Sequence, residues 1–295
     1  MPSRVPHSNE PSSPHPGLAA RALAVTAIDD FITKGQPLDE TLERLFETPA
    51  AGALSDRDRG LVRAISMAAI RRLGTIAKAL EARVERGLPN HSGNLEAILI
   101  SGAAQILFLD VPDHAAVDLS VRLVQANPDA KRFTSLANAV MRRIAREKDE
   151  ILKASDPLLT DTPEWLAARW AKAYGAENAA KIAAAFRAEP AIDVTVRADP
   201  ELWAEKLNAK ILPTGSLRLR DRTPVRTLPG YDEGAFWVQD AAATLPVRLL
   251  DPKPGELIAD LCAAPGGKTL QLAARGANVI AVDRDPALHR ELLAR

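Results

Sequence analysis

The stretch Asp260-Leu-Cys-Ala-Ala-Pro-Gly-Gly-Lys-Thr269 decides how this chain is read, together with the segments Glu256 to Leu261 and Asn278 to Asp283 that flank it. Glu256 to Leu261 is a short apolar run of buried-strand type. Gly266 to Arg275 reads as a loop entering a helix, Asn278 to Asp283 as a second strand, and Pro286 onward as a second helix. This β-α-β-α order is the beginning of a doubly wound, Rossmann-like α/β sheet. In such a sheet the first strand-to-helix turn receives an adenine-containing ligand. Glycines let the backbone approach it, and the helix N-terminus presents N–H groups. Gly266 and Gly267 stand at that turn, and Asp283 at the end of the second strand is placed to accept hydrogen bonds from ribose hydroxyls.

Three readings of the turn compete. A phosphate-binding P-loop requires Gly-x-x-x-x-Gly-Lys-Thr, but five residues before Gly267 stands Cys262, so the backbone nest for phosphates is incomplete. A dinucleotide fingerprint requires Gly-x-Gly-x-x-Gly, a spacing the turn does not offer. A Pro-Gly-Gly turn that holds no ligand is not excluded by spacing. The joint presence of the glycines and Asp283 is what favours a ligand over it.

Outward from the turn, the composition changes in steps. Residues 1–17 carry Pro2, Pro6, Pro11, Pro14 and Pro16 among serines, with His7 and His15, and read as a disordered tail whose histidines are solvated. Residues 18–150 are helical in period, with stripes Leu18, Ala22, Val25, Ile28, Ile32; Val62, Ile65, Ala69, Leu73; and Leu95, Leu99, Gly102, Ile106, Leu109. Ser55 and Asp56 cap one helix and Pro112 and Asp113 open another, giving an all-α bundle of six or seven helices. A polar break covers Glu150 to Asp161. Residues 156–235 form a small α+β connector: a helical pair opened by Pro163, Trp165 and Trp170, a strand through Ile192, Val194 and Val196, a helix at Glu201 to Leu207, and a strand at Leu217 to Leu219. A further strand at Phe236 to Val238 completes this small module, although the domain limit is drawn at residue 235 and residues 236–295 are assigned to the α/β part.

The 295 residues hold 38 basic and 38 acidic side chains, so the net charge is zero and the distribution carries the information. Residues 57–86 bring Arg57, Arg59, Arg63, Arg71, Arg72, Lys78, Arg83 and Arg86; residues 131–148 bring Lys131, Arg132, Arg142, Arg143, Arg146 and Lys148. If these share a face they form a phosphate-binding surface; otherwise they are solvated helix faces. The single cysteine, Cys262, rules out an internal disulfide framework and a multi-cysteine zinc site, and no metal is expected. Without an 18-residue apolar run or the apolar centre of a secretory signal, no membrane span is expected and a cytoplasmic location is the default.

The ten residues Asp260 to Thr269 resemble the first cofactor motif of the RNA cytosine-5 methyltransferases of the NOL/NOP/Sun group. Gly234-Ala-Phe-Trp-Val-Gln-Asp240 and Ala241 to Leu245 resemble the segment that precedes that motif in the bacterial branch. Pro112-Asp-His-Ala-Ala-Val117 and Asn138-Ala-Val-Met-Arg-Arg143 look like the helical domain shared with the antitermination factor NusB. A NusB-like domain joined to this motif is similar to the Sun branch, which methylates cytosine in small-subunit ribosomal RNA. The resemblance implies a multi-domain chain: an all-α NusB-like bundle, a small α+β connector, and the beginning of an α/β Rossmann-like methyltransferase domain dependent on S-adenosyl-L-methionine.

It further implies that Cys262, Ala263, Ala264, Pro265, Gly266, Gly267 and Lys268 surround the cofactor, with Asp283 on its ribose. Lys268 either positions the cofactor or faces solvent. Gln239 and Asp240 either support the site or, for Asp240, cap the next helix. Structured RNA, in particular ribosomal RNA, is the expected partner, met by Arg57, Arg63, Arg71, Arg72, Lys131, Arg132, Arg142 and Arg143. The family activates carbon 5 of cytosine by adding a cysteine thiolate to carbon 6. Cys262 matches a motif cysteine that is not that nucleophile, so no catalytic residue is assigned in the chain. The nucleophile is expected beyond Arg295, and the 295-residue polypeptide is expected to be inactive. Two other readings stay open: a non-catalytic RNA-binding or antitermination-like module, and a regulator that retains a vestigial cofactor loop.

Overall fold

The computed structural model describes residues 17–84, 87–221 and 223–284. The proline-rich tail through residue 16, with His7 and His15, lies outside them, as do Arg86 and the helix expected from Pro286 onward. The chain divides into two compact units, Met1–Ala188 and Glu189–Arg295.

The first unit is helical: α1 (Leu18–Lys34), α2 (Leu38–Phe46), α3 (Pro49–Gly52), α4 (Asp56–Arg71), α5 (Leu73–Glu81), α6 (Leu95–Phe108), α7 (Asp113–Ala126), α8 (Thr134–Arg146), α9 (Lys148–Lys153), α10 (Glu164–Tyr174) and α11 (Ala176–Arg187). Its centre is α6, mostly apolar and buried from Leu95 to Leu107 except at Glu96, against which α1, α4, α7 and α8 pack. Gly102 makes that packing possible. A Cβ there would strike Ser120 Oγ of α7 and lie 2.7 Å from Met141 Sδ of α8. Ser55 caps α4 as expected, its Oγ accepting from Asp58 N at 3.2 Å. The bundle has more helices than the six or seven expected, because α3 and α9 are single short turns with little periodicity to read. On α1 the core face is broader than the stripe, taking in Ala20, Leu23, Ala24 and Ala27, while Ala22 faces solvent.

The expected polar break proves to be structured. Asp156 Oδ1 accepts from the amides of Leu158 and Leu159, both at 2.8 Å, and starts a one-turn π-helix over Pro157–Asp161. The Asp161 side chain is buried: Oδ1 accepts from Thr75 N of α5 at 2.7 Å and Oδ2 from Arg187 Nε of α11 at 2.7 Å. The turn lies against α5 at Gly74, where any Cβ would strike the Thr160 carbonyl. Helices α10 and α11, expected with the connector, are therefore tied into the bundle's unit.

In the second unit four strands form an antiparallel sheet in the order β2-β3-β1-β4: β1 (Asp193–Val196), β2 (Ala209–Ile211), β3 (Leu217–Leu219) and β4 (Phe236–Val238). α12 (Pro200–Lys206) connects the first two strands. Val194, Leu217, Leu219, Phe236 and Leu207 make its core. β4, read from sequence as the strand completing the small module, pairs with β1 through Val194↔Val238 and Val196↔Phe236 and so belongs to the connector sheet, past the limit drawn at residue 235. Helix α13 (Leu245–Leu250) then leads to a parallel pair, β5 (Leu257–Asp260) and β6 (Asn278–Ala281), joined through α14 (Gly267–Ala274).

Candidate functional site

Parallel pairing of β5 with β6, in the register Leu257↔Asn278 to Asp260↔Ala281, forces the chain to cross over through α14 and sets the turn Leu261 to Gly266 at the carboxyl end of both strands. Leu272 packs on Ile258 and Val279 from the helix side. Gly266 caps α14 in the left-handed region, φ 107°, a conformation that suits glycine. The first helical bond runs from Leu270 N to Gly266 O, so the amides of Gly267, Lys268 and Thr269 point out of the helix start.

The turn is braced from β6. Ala263 N donates to Val282 O at 3.1 Å, and Ala264 N donates to Asp283 Oδ2 at 2.9 Å. The acid expected on a ribose thus meets the turn directly, at the same end of the sheet as the glycines. Ala263 and Gly266 are buried, whereas Cys262, Pro265 and Lys268 are exposed and Ala264 and Gly267 are partly covered. Two further residues belong to the arrangement that sequence reading left without a role. Asp260 Oδ2 accepts from Thr269 Oγ1 at 2.7 Å, which closes the turn across its mouth. The signal was present in the acid ending β5 and the hydroxyl on the third residue of α14. Asp240 caps the following turn, accepting from Ala242 N at 2.7 Å, while Gln239 faces α14. Among the described residues no cluster of three or more metal-ligating side chains occurs, and no helix is long and apolar enough to cross a membrane.

The basic residues of the first unit divide into two kinds. Arg57, Arg63, Lys131, Arg132 and Arg142 are exposed. Arg63 stacks over Phe46 at 4.8 Å with Arg59 over the same ring at 5.3 Å. Arg132 lies over Phe133 and donates to His91 O at 3.0 Å; Arg142 Nε donates to Asn138 Oδ1 at 3.0 Å. Arg72 departs from its expected surface role. Its guanidinium sits 4.1 Å above the Phe108 ring and its Nε is 3.1 Å from Asp161 Oδ2, a charge contact outside hydrogen-bond alignment. Burial, and the charge of Arg187 beside it, hold that guanidinium below its ordinary range. Arg71 is half-buried. Arg143 pairs with Glu147 at 2.9 Å, and the same carboxylate takes Arg83 at 2.6 Å. The two basic stretches therefore meet at Glu147, where their charge is partly neutralised.

Residues 18–146 match the NusB family, and residues 247–293 match the family 16S rRNA methyltransferase RsmB/F. The chain is 31% identical over 283 residues to the ribosomal RNA small subunit methyltransferase B of Cronobacter sakazakii, covering 90% of this chain and 63% of that protein. It is 31% identical over 281 residues to the protein of the same name from Klebsiella pneumoniae, with the same coverage. The chain thus spans 63% of the length of the curated relatives it matches. Among solved structures, the crystal structure of PH0851 shares the fold at a TM-score of 0.62 and 20% identity, over 96% of this chain and 67% of that one. The resemblance read from the motifs is thereby shown, as is the fold class of a NusB-like helical domain followed by an α/β region.

Proposed function

We propose that this chain, kin along nine tenths of its length to the ribosomal RNA small subunit methyltransferases B, binds S-adenosylmethionine at the turn between β5 and α14 and serves cytosine-5 methylation of small-subunit ribosomal RNA. The observation that carries the reading is the bond from Ala264 N to Asp283 Oδ2, which brings the acid of β6 against the glycine turn at the carboxyl end of a parallel pair. The residues present suit the cofactor. Gly266 turns the backbone through the left-handed region at the start of α14, the outward amides of Gly267, Lys268 and Thr269 suit polar groups of a ligand, and Asp283 supplies a carboxylate beside the turn. When bound, the cofactor supplies an electrophilic methyl group. Cys262, Ala263, Ala264, Pro265 and Lys268 complete the wall around it.

Structured RNA is the proposed partner. Arg57, Arg63, Lys131, Arg132 and Arg142 are its exposed contacts on the helical unit, with Arg71 and Arg143 contributing less and Arg72 excluded by its burial. Cys262 lies inside the cofactor turn, so it serves the cofactor and not the base. The domain limits we propose are a NusB-like helical domain from residue 18, extended to Ala188 by α10 and α11, and a second unit in which the connector sheet and the cofactor turn are continuous. The match of residues 18–146 to the NusB family also favours a second reading, an RNA-binding module without catalysis.

Calorimetric titration of the 295-residue chain with S-adenosylmethionine tests the first reading. Saturable binding that weakens by about tenfold in Asp283→Ala, the loss expected for a charged hydrogen-bond acceptor, supports it. Absence of binding, with RNA affinity retained, leaves the RNA-binding module. Methyl transfer by this polypeptide alone would show that it carries its own nucleophile.

A further inference from the structure

We propose that Gln239 is a positioning residue for the cofactor turn: it locks the first turn of α14 to the connector sheet and so sets the direction in which the outward amides of the helix point. This rests on the reading of that turn given above. Trp237 Nε1 donates to Gln239 Oε1 at 2.9 Å, Gln239 Nε2 donates to Gln271 Oε1 at 3.0 Å, and Gln271 Nε2 donates to the Thr244 carbonyl at 3.2 Å. Trp237, Gln239, Gln271 and Thr244 are all buried.

The polarity of this chain is dictated at both ends. An indole nitrogen only donates and a carbonyl only accepts, so each amide between them has one satisfied orientation. Gln239 also supports the helix by packing, because Gly267 lies so close that a Cβ there would be 3.3 Å from Gln239 Cγ. Gly267 and Gln271 are one turn apart on α14, so the clamp holds that turn at two points on one face. Behind it the Gln239 backbone is itself fixed: its N–H donates to Asp193 O at 3.0 Å, and Asp193 Oδ2 accepts from Ala241 N at 3.2 Å. The Asp193 carboxylate is gripped by Arg218 through Nε at 2.7 Å and a second nitrogen at 2.9 Å.

Two buried amides at a place where apolar side chains would fill the space carry a desolvation cost, and apolar packing would impose no direction. Directional bonds are what a helix start requires if its amides are to meet a ligand within a few tenths of an ångström.

The test compares S-adenosylhomocysteine binding to the 295-residue chain, wild type against Gln239→Glu and Gln239→Ala, at pH 8 and pH 5. Because position 239 is buried, a Glu carboxyl there is raised above its ordinary value and toward the interval between these pH values; ionised, it still accepts from Trp237 but presents an acceptor to Gln271, and once protonated it donates as the amide did. The charged groups tied to this position are Asp193, whose carbonyl accepts from the Gln239 amide and whose carboxylate is held below its ordinary range first by its hydrogen bond to Arg218, then Arg218 itself and the adjoining Asp240. No histidine lies in the second unit among the described residues.

We expect Gln239→Glu to bind about tenfold more weakly than wild type at pH 8 and within about threefold at pH 5, and Gln239→Ala to be weakened about tenfold at both. Acid recovery confined to the Glu variant is an effect that general loss of stability does not produce. Wild-type affinity in both variants at both pH values overturns the positioning role and leaves the cofactor reading intact. Failure of the wild type itself to bind overturns the cofactor reading, and the proposal with it. If neither variant folds, Trp237→Phe removes only the donor that orients Gln239; unchanged affinity there overturns the proposal and a loss of about threefold supports it.

Discussion

Replacing Asp161 with alanine tests whether the basic residues of the helical unit have been divided correctly between fold and surface. The carboxylate side chain is 4% exposed, and the Arg72 and Arg187 side chains that it faces are 17% and 14% exposed. Removing the acid leaves two guanidinium groups beside each other in a desolvated site, deprives Thr75 N of its acceptor, and frees the π-turn from α5. Truncating one partner of a buried ion pair costs about 3–5 kcal/mol, a large fraction of the roughly 5–15 kcal/mol that holds a domain folded. At about 2–4 °C per kcal/mol for a unit of this size, the helical melt followed at 222 nm should fall by about 6–20 °C. Arg72→Ala should produce a similar fall without changing the salt dependence of RNA binding. Arg63→Ala should lower RNA affinity with the melt almost unmoved. A melting temperature within 2 °C or so of wild type for Asp161→Ala would refute the reasoning, as would loss of RNA affinity in Arg72→Ala with an unchanged melt.

Other outcomes follow from the same structure. Substituting Arg63, Arg132 or Arg142 singly by alanine should reduce the slope of log affinity against log salt for ribosomal RNA fragments by about one each, read by filter binding; unchanged slopes would remove these side chains from the contact surface. Gly102→Ala should destabilise the helical unit by about 1–3 kcal/mol in urea, because its Cβ meets Ser120 and Met141. Gly266→Ala places a side chain at φ 107° and should weaken S-adenosylmethionine binding by about tenfold while leaving the bundle's melt in place. Asp30 and Asp193 are held below the ordinary carboxylate range, first by their hydrogen bonds to Lys34 and Arg218 respectively. A depressed native value means that their contribution is complete above about pH 4 and is lost as the pH falls further. Asp193→Asn should therefore flatten the acid limb of the second unit's stability, and an unaltered limb would show that Arg218 adds nothing there.

Legibility of this chain followed how local each signal is. The glycine turn was readable because its requirements lie within thirty residues: an apolar run to Asp260, two glycines at a helix start, and an acid ending the next run. The central helix α6 was found, although burial on almost every side erased the one-faced period by which α4 shows itself. β2 was missed, since Ala209–Ile211 is three residues long with no alternation and owes its place to the register it shares with Leu217–Leu219. The residues misjudged are those whose meaning depends on distant partners. Arg72 looks like its neighbour Arg71 in sequence, and only the approach of Asp161, permitted by the missing side chain at Gly74, turns it inward. Asp161 likewise stands in a polar stretch that has the composition of a linker, and burial reverses its role. Gln239 shows the same dependence from the other side. A glutamine after a β-strand is unremarkable until Trp237 and Gln271 stand at its two ends, and from then on its two amide ends cannot be exchanged. Motifs locate a cofactor turn in a chain like this one, but the direction that turn faces is set by buried polar side chains whose partners sequence spacing does not reveal.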